Sequence, residues 1–294
     1  MAPTITLQNE TVQSAQLRRL PLFWRILSYL FLFILVNLLA NLARVGLDAL
    51  GLPPLLTRLA FTLVYIAAVL GLTYFYRRSV DRKAWSDIGL PALNRHIPQL
   101  AGGLGLGILV VGILFGFEYV FRWIQIIEYT SDATAVTLLI DSLLLGAAFG
   151  VSEEICMRGY LFQNLGENRP VWQTILITGI IFGTFHLLSV GFGLRGLTFF
   201  VFTFLLNIFL VLTRLVTGSL WTAIGFHTAF DWAAINLGLG SVILADRHLL
   251  QVERAISLPV EDQLAAFVVV LGILWLMTWF RQRGRAISLF AGLK

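Results

Sequence analysis

The chain has 294 residues, of which 58% are hydrophobic and only 13% charged, whereas a soluble domain carries about 25% charged residues. Its net charge of +5 would indicate a nucleic-acid partner only if the basic residues clustered on a soluble face. Here they lie at the ends of apolar runs, which excludes a nucleic-acid partner and indicates a membrane protein. The single cysteine, Cys156, excludes an internal disulfide and a cysteine-based zinc cluster.

Apolar runs of roughly 20 residues, the length that crosses a bilayer, recur along the chain. They are continuous, which favours helices over the alternating strands of a membrane β-barrel. The sequence therefore predicts an all-α fold, a polytopic membrane helix bundle of about eight transmembrane helices with a buried polar site. The eight runs are 22–43, 57–76, 98–121, 134–164, 171–190, 196–215, 219–237 and 263–280.

The runs divide the chain into four parts. Residues 1–20 are a polar N-terminal tail, and 21–133 hold the first transmembrane helices and an interfacial segment. Residues 134–237 form a core that contains the buried ionisable residues, and 238–294 hold a loop, the last transmembrane helix and a basic C-terminal tail. The fourth run is longer than a bilayer requires, so we expect it to tilt or to break near Gly146 or Gly150.

Basic residues at the ends of the runs indicate an orientation. Arg18 and Arg19 precede the first run, Arg77 and Arg78 follow the second, and Arg281 follows the last. Cytoplasmic loops carry the excess of arginine and lysine. The pattern predicts an integral multi-pass protein of the cell (plasma) membrane with both termini in the cytoplasm.

Ionisable residues at bilayer depth are costly and indicate a functional site. The first such cluster is Glu153-Glu154 with Arg158. At about 100° per residue, Glu154 and Arg158 share a helix face, while Glu153 points about 100° away. Glu154 can pair with Arg158, which leaves Glu153 to face a cavity as a general base. The alternative is an ion pair that only locks two helices together.

Two further clusters repeat the four-residue spacing that places side chains on one face. Phe182 and His186 form the second, where the histidine is either a site residue or a hydrogen-bonded packing residue. His227 and Asp231 form the third, where the carboxylate can orient the imidazole or simply hold a helix pair.

A helical hairpin should turn near Asn168-Arg169-Pro170. At about 1.5 Å per residue, Glu153 and His186 lie about 22 and 27 Å from that turn, and His227 is expected to be shallower, at about 14 Å. The three clusters could converge in one pocket that opens toward the cytoplasm.

The order Glu-Glu-x-x-x-Arg, Phe-x-x-x-His and His-x-x-x-Asp, with Thr-Gly-Ser-Leu-Trp before the last motif, resembles the CPBP family (CAAX protease and bacteriocin-processing, Abi) of intramembrane proteases. The resemblance covers about 134–237 and makes this part a CPBP/Abi-like catalytic core. Asp231 stands where prenyl-protein endopeptidases typically carry asparagine.

The resemblance implies an intramembrane endopeptidase that acts on a membrane-associated peptide or protein in the lipid bilayer, by CAAX-type or bacteriocin processing. Glu153 with His186 would activate water, while His227 and Asp231 would stabilise the oxyanion. Glu154 would act with them, and Arg158 and Phe182 would orient the site.

The resemblance leaves two mechanisms open. In one, His186, His227 and Glu153 bind one divalent metal such as zinc. In the other, catalysis is metal-free, and this mechanism is equally open because the sequence has no His-Glu-x-x-His helix. Two other functions compete: a non-catalytic immunity or scaffold protein on the same fold, and a proton-coupled transporter, although no internal repeat is visible.

Overall fold

The computed structural model describes residues 20–239 and 249–254 and the separate positions 272, 273 and 275. Six of the helices in the described part are long and apolar enough to cross a membrane, which confirms an all-α integral membrane protein. The elements are α1 (Leu22–Ala49), α2 (Pro54–Phe75), α3 (Ile97–Val120), β1 (Ile124–Tyr129), α4 (Ala133–Glu154), α5 (Phe162–Leu165), α6 (Val171–Val190), α7 (Leu194–Thr217), α8 (Trp221–Asn236) and β2 (Leu250–Arg254).

The expected count of about eight transmembrane helices is slightly too high for the described residues. The seventh apolar run forms α8, which has only 16 residues and is buried among its neighbours. The eighth run, 263–280, lies outside the described residues except at positions 272, 273 and 275, and so does the N-terminal tail except Leu20. Apolar length alone therefore does not separate a membrane-crossing helix from one enclosed by the bundle.

Helix α8 occupies the centre of the bundle between α3 and α4. A Cβ atom on Gly107 of α3 would lie 2.5 Å from the carbonyl oxygen of Phe226, and one on Gly146 of α4 would lie 2.7 Å from that of Thr228. Glycine lets helix backbones approach closely in membranes. Glycines on both sides thus allow α8 to pack closely against α3 and α4.

The predicted break in the fourth run is misplaced. Helix α4 continues through Gly146 and Gly150, where the missing side chains admit Thr228 of α8. The irregularity comes later, as a π-helical segment at Ile155–Leu161 that continues into α5. It follows Glu153 and Glu154 directly, and π-bulges are frequent at functional sites.

The connection between α2 and α3 is anchored on the bundle. It contains two short 3₁₀ turns, Trp85–Ile88 and Leu93–Arg95, and the Ile88 side chain is fully buried. The backbone N–H of Leu220 donates to the Gly89 carbonyl at 2.7 Å, and the indole N–H of Trp221 donates to that of Pro91 at 2.8 Å. This connection, a polar segment predicted to lie at the membrane interface, therefore contacts the start of α8.

A buried ionic network lies beside this connection. Asp81 is fully buried, and its carboxylate accepts from Arg25 Nη1 at 2.8 Å and from the Tyr160 hydroxyl at 3.3 Å. Arg77 Nη1 lies 3.8 Å from the same carboxylate. Burying several charges is stabilising only when each has a partner. Asp81 therefore joins α1, the end of α2 and the π segment.

Two other ion pairs support the bundle at its ends. Lys83 lies 2.6 Å from Glu167 beside the network. Partial burial would raise the pKa of Glu167, but Lys83 and Arg25 hold it below its ordinary value. Near the other end of α4, Arg58 donates two hydrogen bonds to the buried Asp141, at 2.9 and 3.2 Å. Asp141 thus belongs to an ion pair outside the predicted site.

Helices α6 and α7 form a closely packed pair. A Cβ atom on Gly183 would lie 2.8 Å from the ring of Phe200. The buried Asn207 amide donates across the pair to the Ile175 carbonyl and the Thr178 hydroxyl, both at 3.2 Å.

Antiparallel β1 and β2 form a two-stranded ribbon after α3 that the sequence did not predict.

Candidate active site

His227 is the centre of the ionisable residues. Its Nδ1 lies 2.9 Å from Glu154 Oε1. Its Nε2 lies 3.8 Å from Glu153 Oε2 and 3.7 Å from Asp231 Oδ2. One imidazole from α8 therefore faces two carboxylates of α4 and a third from its own helix. The first and third clusters of the sequence therefore meet in the structure.

The expected depth of His227 was wrong, for a reason that lies at the start of α8. A Cβ atom on Gly159 would lie 3.5 Å from the side chain of Leu220 and 3.0 Å from that of Ile88. Leu220, at the N-terminus of α8, thus sits beside the π segment and is recessed inside the bundle. Counting residues from a membrane surface placed His227 too shallow, whereas it lies level with Glu154.

Glu154 and Arg158 form the predicted pair. Arg158 Nη1 donates to Glu154 Oε1 at 2.8 Å, and both side chains are fully buried. The guanidinium carbon of Arg158 also lies 4.6 Å from the centre of the Phe182 ring, a distance at which cation and ring attract each other. Glu154 Oε1 accepts from both Arg158 and His227, so it fixes the position of the imidazole.

Glu153 and Asp231 are the accessible carboxylates of the cluster. Their side chains are 21% and 28% exposed, compared with 6% for His227. Glu153 Oε2 has no hydrogen-bond partner among the described atoms. A carboxylate oxygen with an unused lone pair, held beside an imidazole, can accept a proton from water.

His186 reaches the cluster through Phe182. The Phe182 ring centre lies 4.4 Å from that of His186 and 6.3 Å from that of His227. His186 Nδ1 lies 2.9 Å from the Phe182 carbonyl oxygen, so this nitrogen is the donor. In the neutral ring, Nε2 then becomes the proton acceptor.

Comparison with known families agrees with this geometry. Residues 135–233 match the family model described as type II CAAX prenyl endopeptidase Rce1-like. This core is similar to that family. No curated protein matches the chain. The match begins in α4 and ends in α8, so it includes every predicted site residue, and the resemblance inferred from the motifs is confirmed.

The Rce1-like core does not present a ready metal centre. No group of three or more His, Cys, Asp or Glu side chains within the described ranges is placed to hold a metal ion. The expected ligands His186, His227 and Glu153 do not form such a group, so the side chains as arranged do not match a metal centre.

Sequence reasoning missed Tyr65 beside the Rce1-like core. This buried side chain belongs to α2, and it lies close enough to Glu153 for the carboxylate charge to act on it. A lone tyrosine in an apolar run has no motif, so no sequence signal was available for it.

Proposed function

We propose that the protein is an intramembrane endopeptidase that hydrolyses a peptide bond in a membrane-associated peptide or protein. The observation that supports this proposal most is the placement of His227 against Glu154, Glu153 and Asp231 inside a membrane-spanning bundle. The Rce1-like match adds that the related proteins form a protease family. A purely structural ion pair would not need two partly exposed carboxylates.

In the proposed reaction, water is the nucleophile. Glu153, assisted by Nε2 of His186, removes a proton from the water as its oxygen attacks the carbonyl carbon. Such general base catalysis contributes about 10²- to 10⁴-fold. Glu154 remains bonded to Arg158 and His227 and holds the imidazole in place.

The tetrahedral intermediate carries a negative charge on the former carbonyl oxygen. Because His227 Nδ1–H is held by Glu154, the protonated imidazolium of His227 would donate its Nε2–H to this oxygen, and the protonated carboxyl of Asp231 would donate a second hydrogen bond. Stabilisation of this type contributes about 10²- to 10³-fold per donor. The proton taken by Glu153 then passes to the leaving amine as the C–N bond breaks. The products are one carboxylate and one amine.

The substrate and the orientation are parts of the same proposal. The family description names CAAX prenyl endopeptidases, so a prenylated C-terminal peptide is the first substrate to test, with bacteriocin-type peptides next.

The basic residues at the ends of the runs favour cytoplasmic termini and a plasma-membrane location. Glu153 is 12 residues from Leu165 at the end of α5, or about 18 Å along the helix, which places the site near the middle of the bilayer.

The deciding experiment combines hydrolysis with metal analysis. Purified protein in liposomes would be offered prenylated and unprenylated peptides, before and after chelation, with bound metal measured. We expect wild-type cleavage to persist in metal-free protein and to fall about 10²- to 10³-fold in His227→Ala. Cleavage that vanishes on chelation and returns with zinc would support the metal mechanism. No cleavage of any peptide by the wild type would favour the non-catalytic alternative, and equal cleavage by wild type and His227→Ala would exclude His227 from the mechanism.

The role of Asp231 predicts a particular pH dependence. A carboxyl donates a hydrogen bond only when protonated, whereas an amide donates at every pH. The wild-type kcat/KM should therefore fall as rising pH deprotonates Asp231, and Asp231→Asn should lack that fall. The titratable groups that face Asp231 are His227, Glu153, His186 and Glu154.

Profiles of kcat/KM against pH for wild type and Asp231→Asn measure this difference. The exposed Asp48, which pairs with Arg44 elsewhere in the bundle, provides a matched Asp48→Asn control that should follow the wild type. Identical alkaline limbs in wild type and Asp231→Asn would count against a donating carboxyl.

A further inference from the structure

Arg214, in the last turn of α7, is a buried arginine outside the three predicted clusters. Its side chain is 5% exposed. Its Nη2 donates to the Asp87 carbonyl at 3.1 Å, and its guanidinium carbon lies 5.8 Å from the centre of the Phe162 ring. Its Nη1 has no hydrogen-bond partner among the described atoms. A cation in this position is costly, so it requires an explanation.

The guanidinium packs against a backbone that only glycine accommodates. Gly89 has a φ of +81°, and a Cβ atom there would lie 3.0 Å from Arg214 Nη2 and 3.1 Å from its Nε. Positive φ favours glycine, and here the close guanidinium is a second reason. Arg214 therefore contacts the connection between α2 and α3 at Asp87 and Gly89.

The same connection sets the start of α8. The Gly89 carbonyl, next to the guanidinium, accepts from the backbone N–H of Leu220 at 2.7 Å. Pro91 accepts from the indole of Trp221 at 2.8 Å. Since α8 carries His227, a shift of Gly89 would move the imidazole relative to α4.

Arg214 also acts on the site through its charge. The charged groups that act on it are Glu154, which attracts it, and Arg77, which repels it. Arg77 in turn holds the other side of Asp87, because its Nη2 donates to the Asp87 carboxylate at 2.8 Å. Between buried groups such attraction is poorly screened. Arg214 is thus a second counter-charge for the carboxylate that orients His227.

We infer that Arg214 is a positioning residue for the His227–Glu154 pair, acting through the 85–91 connection and through its charge. The inference rests on the proposed function for its kinetic consequence, but the geometry that it concerns is independent of hydrolysis. Partners that orient site residues typically contribute about 10- to 100-fold to activity.

The test uses Arg214→Ala and Arg214→Lys in the full chain, with imidazole ¹⁵N signals and peptide hydrolysis as the two measurements. The chain has four histidines, and His227→Gln identifies the His227 signals. We expect Arg214→Ala to shift the His227 Nδ1 signal, which reports its bond to Glu154, and to lower kcat about 10- to 100-fold with KM little changed. Added methylguanidinium should restore both, since it can refill the space beside Asp87.

Arg58→Ala is the matched control, because it removes a buried arginine that pairs with Asp141 at the opposite end of α4. It should destabilise the protein yet leave the His227 signal in place. If Arg214→Ala does not fold, Arg214→Lys decides the question, because an ammonium cannot reproduce the planar contact and should shift the signal partly. An unchanged His227 signal and kcat in the folded variant would overturn the inference. The signal is read without substrate, so the inference is judged even where no peptide is cleaved.

Discussion

Glu153→Gln is expected to lower kcat/KM for peptide hydrolysis by about 10²- to 10⁴-fold, the contribution of a general base. Glutamine retains the shape of the side chain but cannot accept a proton from water at neutral pH. The fold should persist, because the Glu153 side chain is 21% exposed and the buried pair of Glu154 with Arg158 is untouched. The measurement is steady-state cleavage of the best peptide by protein in liposomes, with circular dichroism as the check of folding.

Glu128→Gln is the matched control, since Glu128 is exposed on β1 and lies outside the helices that carry the cluster. It should cleave at the wild-type rate. If Glu153→Gln did so as well, water activation would have to be assigned to another group, of which His186 is the first candidate.

Asp81→Asn is expected to destabilise the protein by about 3–5 kcal/mol, the cost of removing one partner from a buried ion pair. The carboxylate is fully buried and faces both Arg25 and Arg77. Without it, two buried guanidinium groups lose their shared counter-charge, and only Glu167 at 3.5 Å remains for Arg25. The free energy of unfolding in mild detergent, measured by denaturant titration, tests this.

Asp48→Asn makes the same chemical change at an exposed ion pair with Arg44, where the expected change is within about 0.5 kcal/mol. Equal losses in the two variants would mean that the buried network contributes no more than a surface pair. Hydrolysis should decline in Asp81→Asn only as far as folded protein is lost.

The four-residue spacing predicted correctly that His227 and Asp231 share a face, because α8 keeps the 3.6-residue period of an α-helix. Arg158 reaches Glu154 as well, although it lies in the π-helical segment. Depth was less predictable, because it assumed that every helix starts at a membrane surface. Leu220 is recessed through a tertiary contact with Gly159, and no local pattern encodes that contact.

The network around Asp81 could not be predicted for a related reason. The segment after α2 is polar, and polar segments between apolar runs normally lie at the surface. Burial of Asp81 depends on Arg25, which is 56 residues away in sequence. The same holds for Arg214 and Asp87, 127 residues apart. Long-range partners of this kind become visible only once the helices are packed.

The shortness of α8 has a consequence for how the protein is made. Its 16 residues reach about 24 Å, less than the roughly 30 Å of hydrocarbon that a membrane presents. With His227 and Asp231 on it, α8 would insert poorly by itself, and we expect it to enter the bilayer only as α3 and α4 close around it. The groups of the proposed site would then meet in a late step of biogenesis, so that partly assembled chains lack the complete cluster.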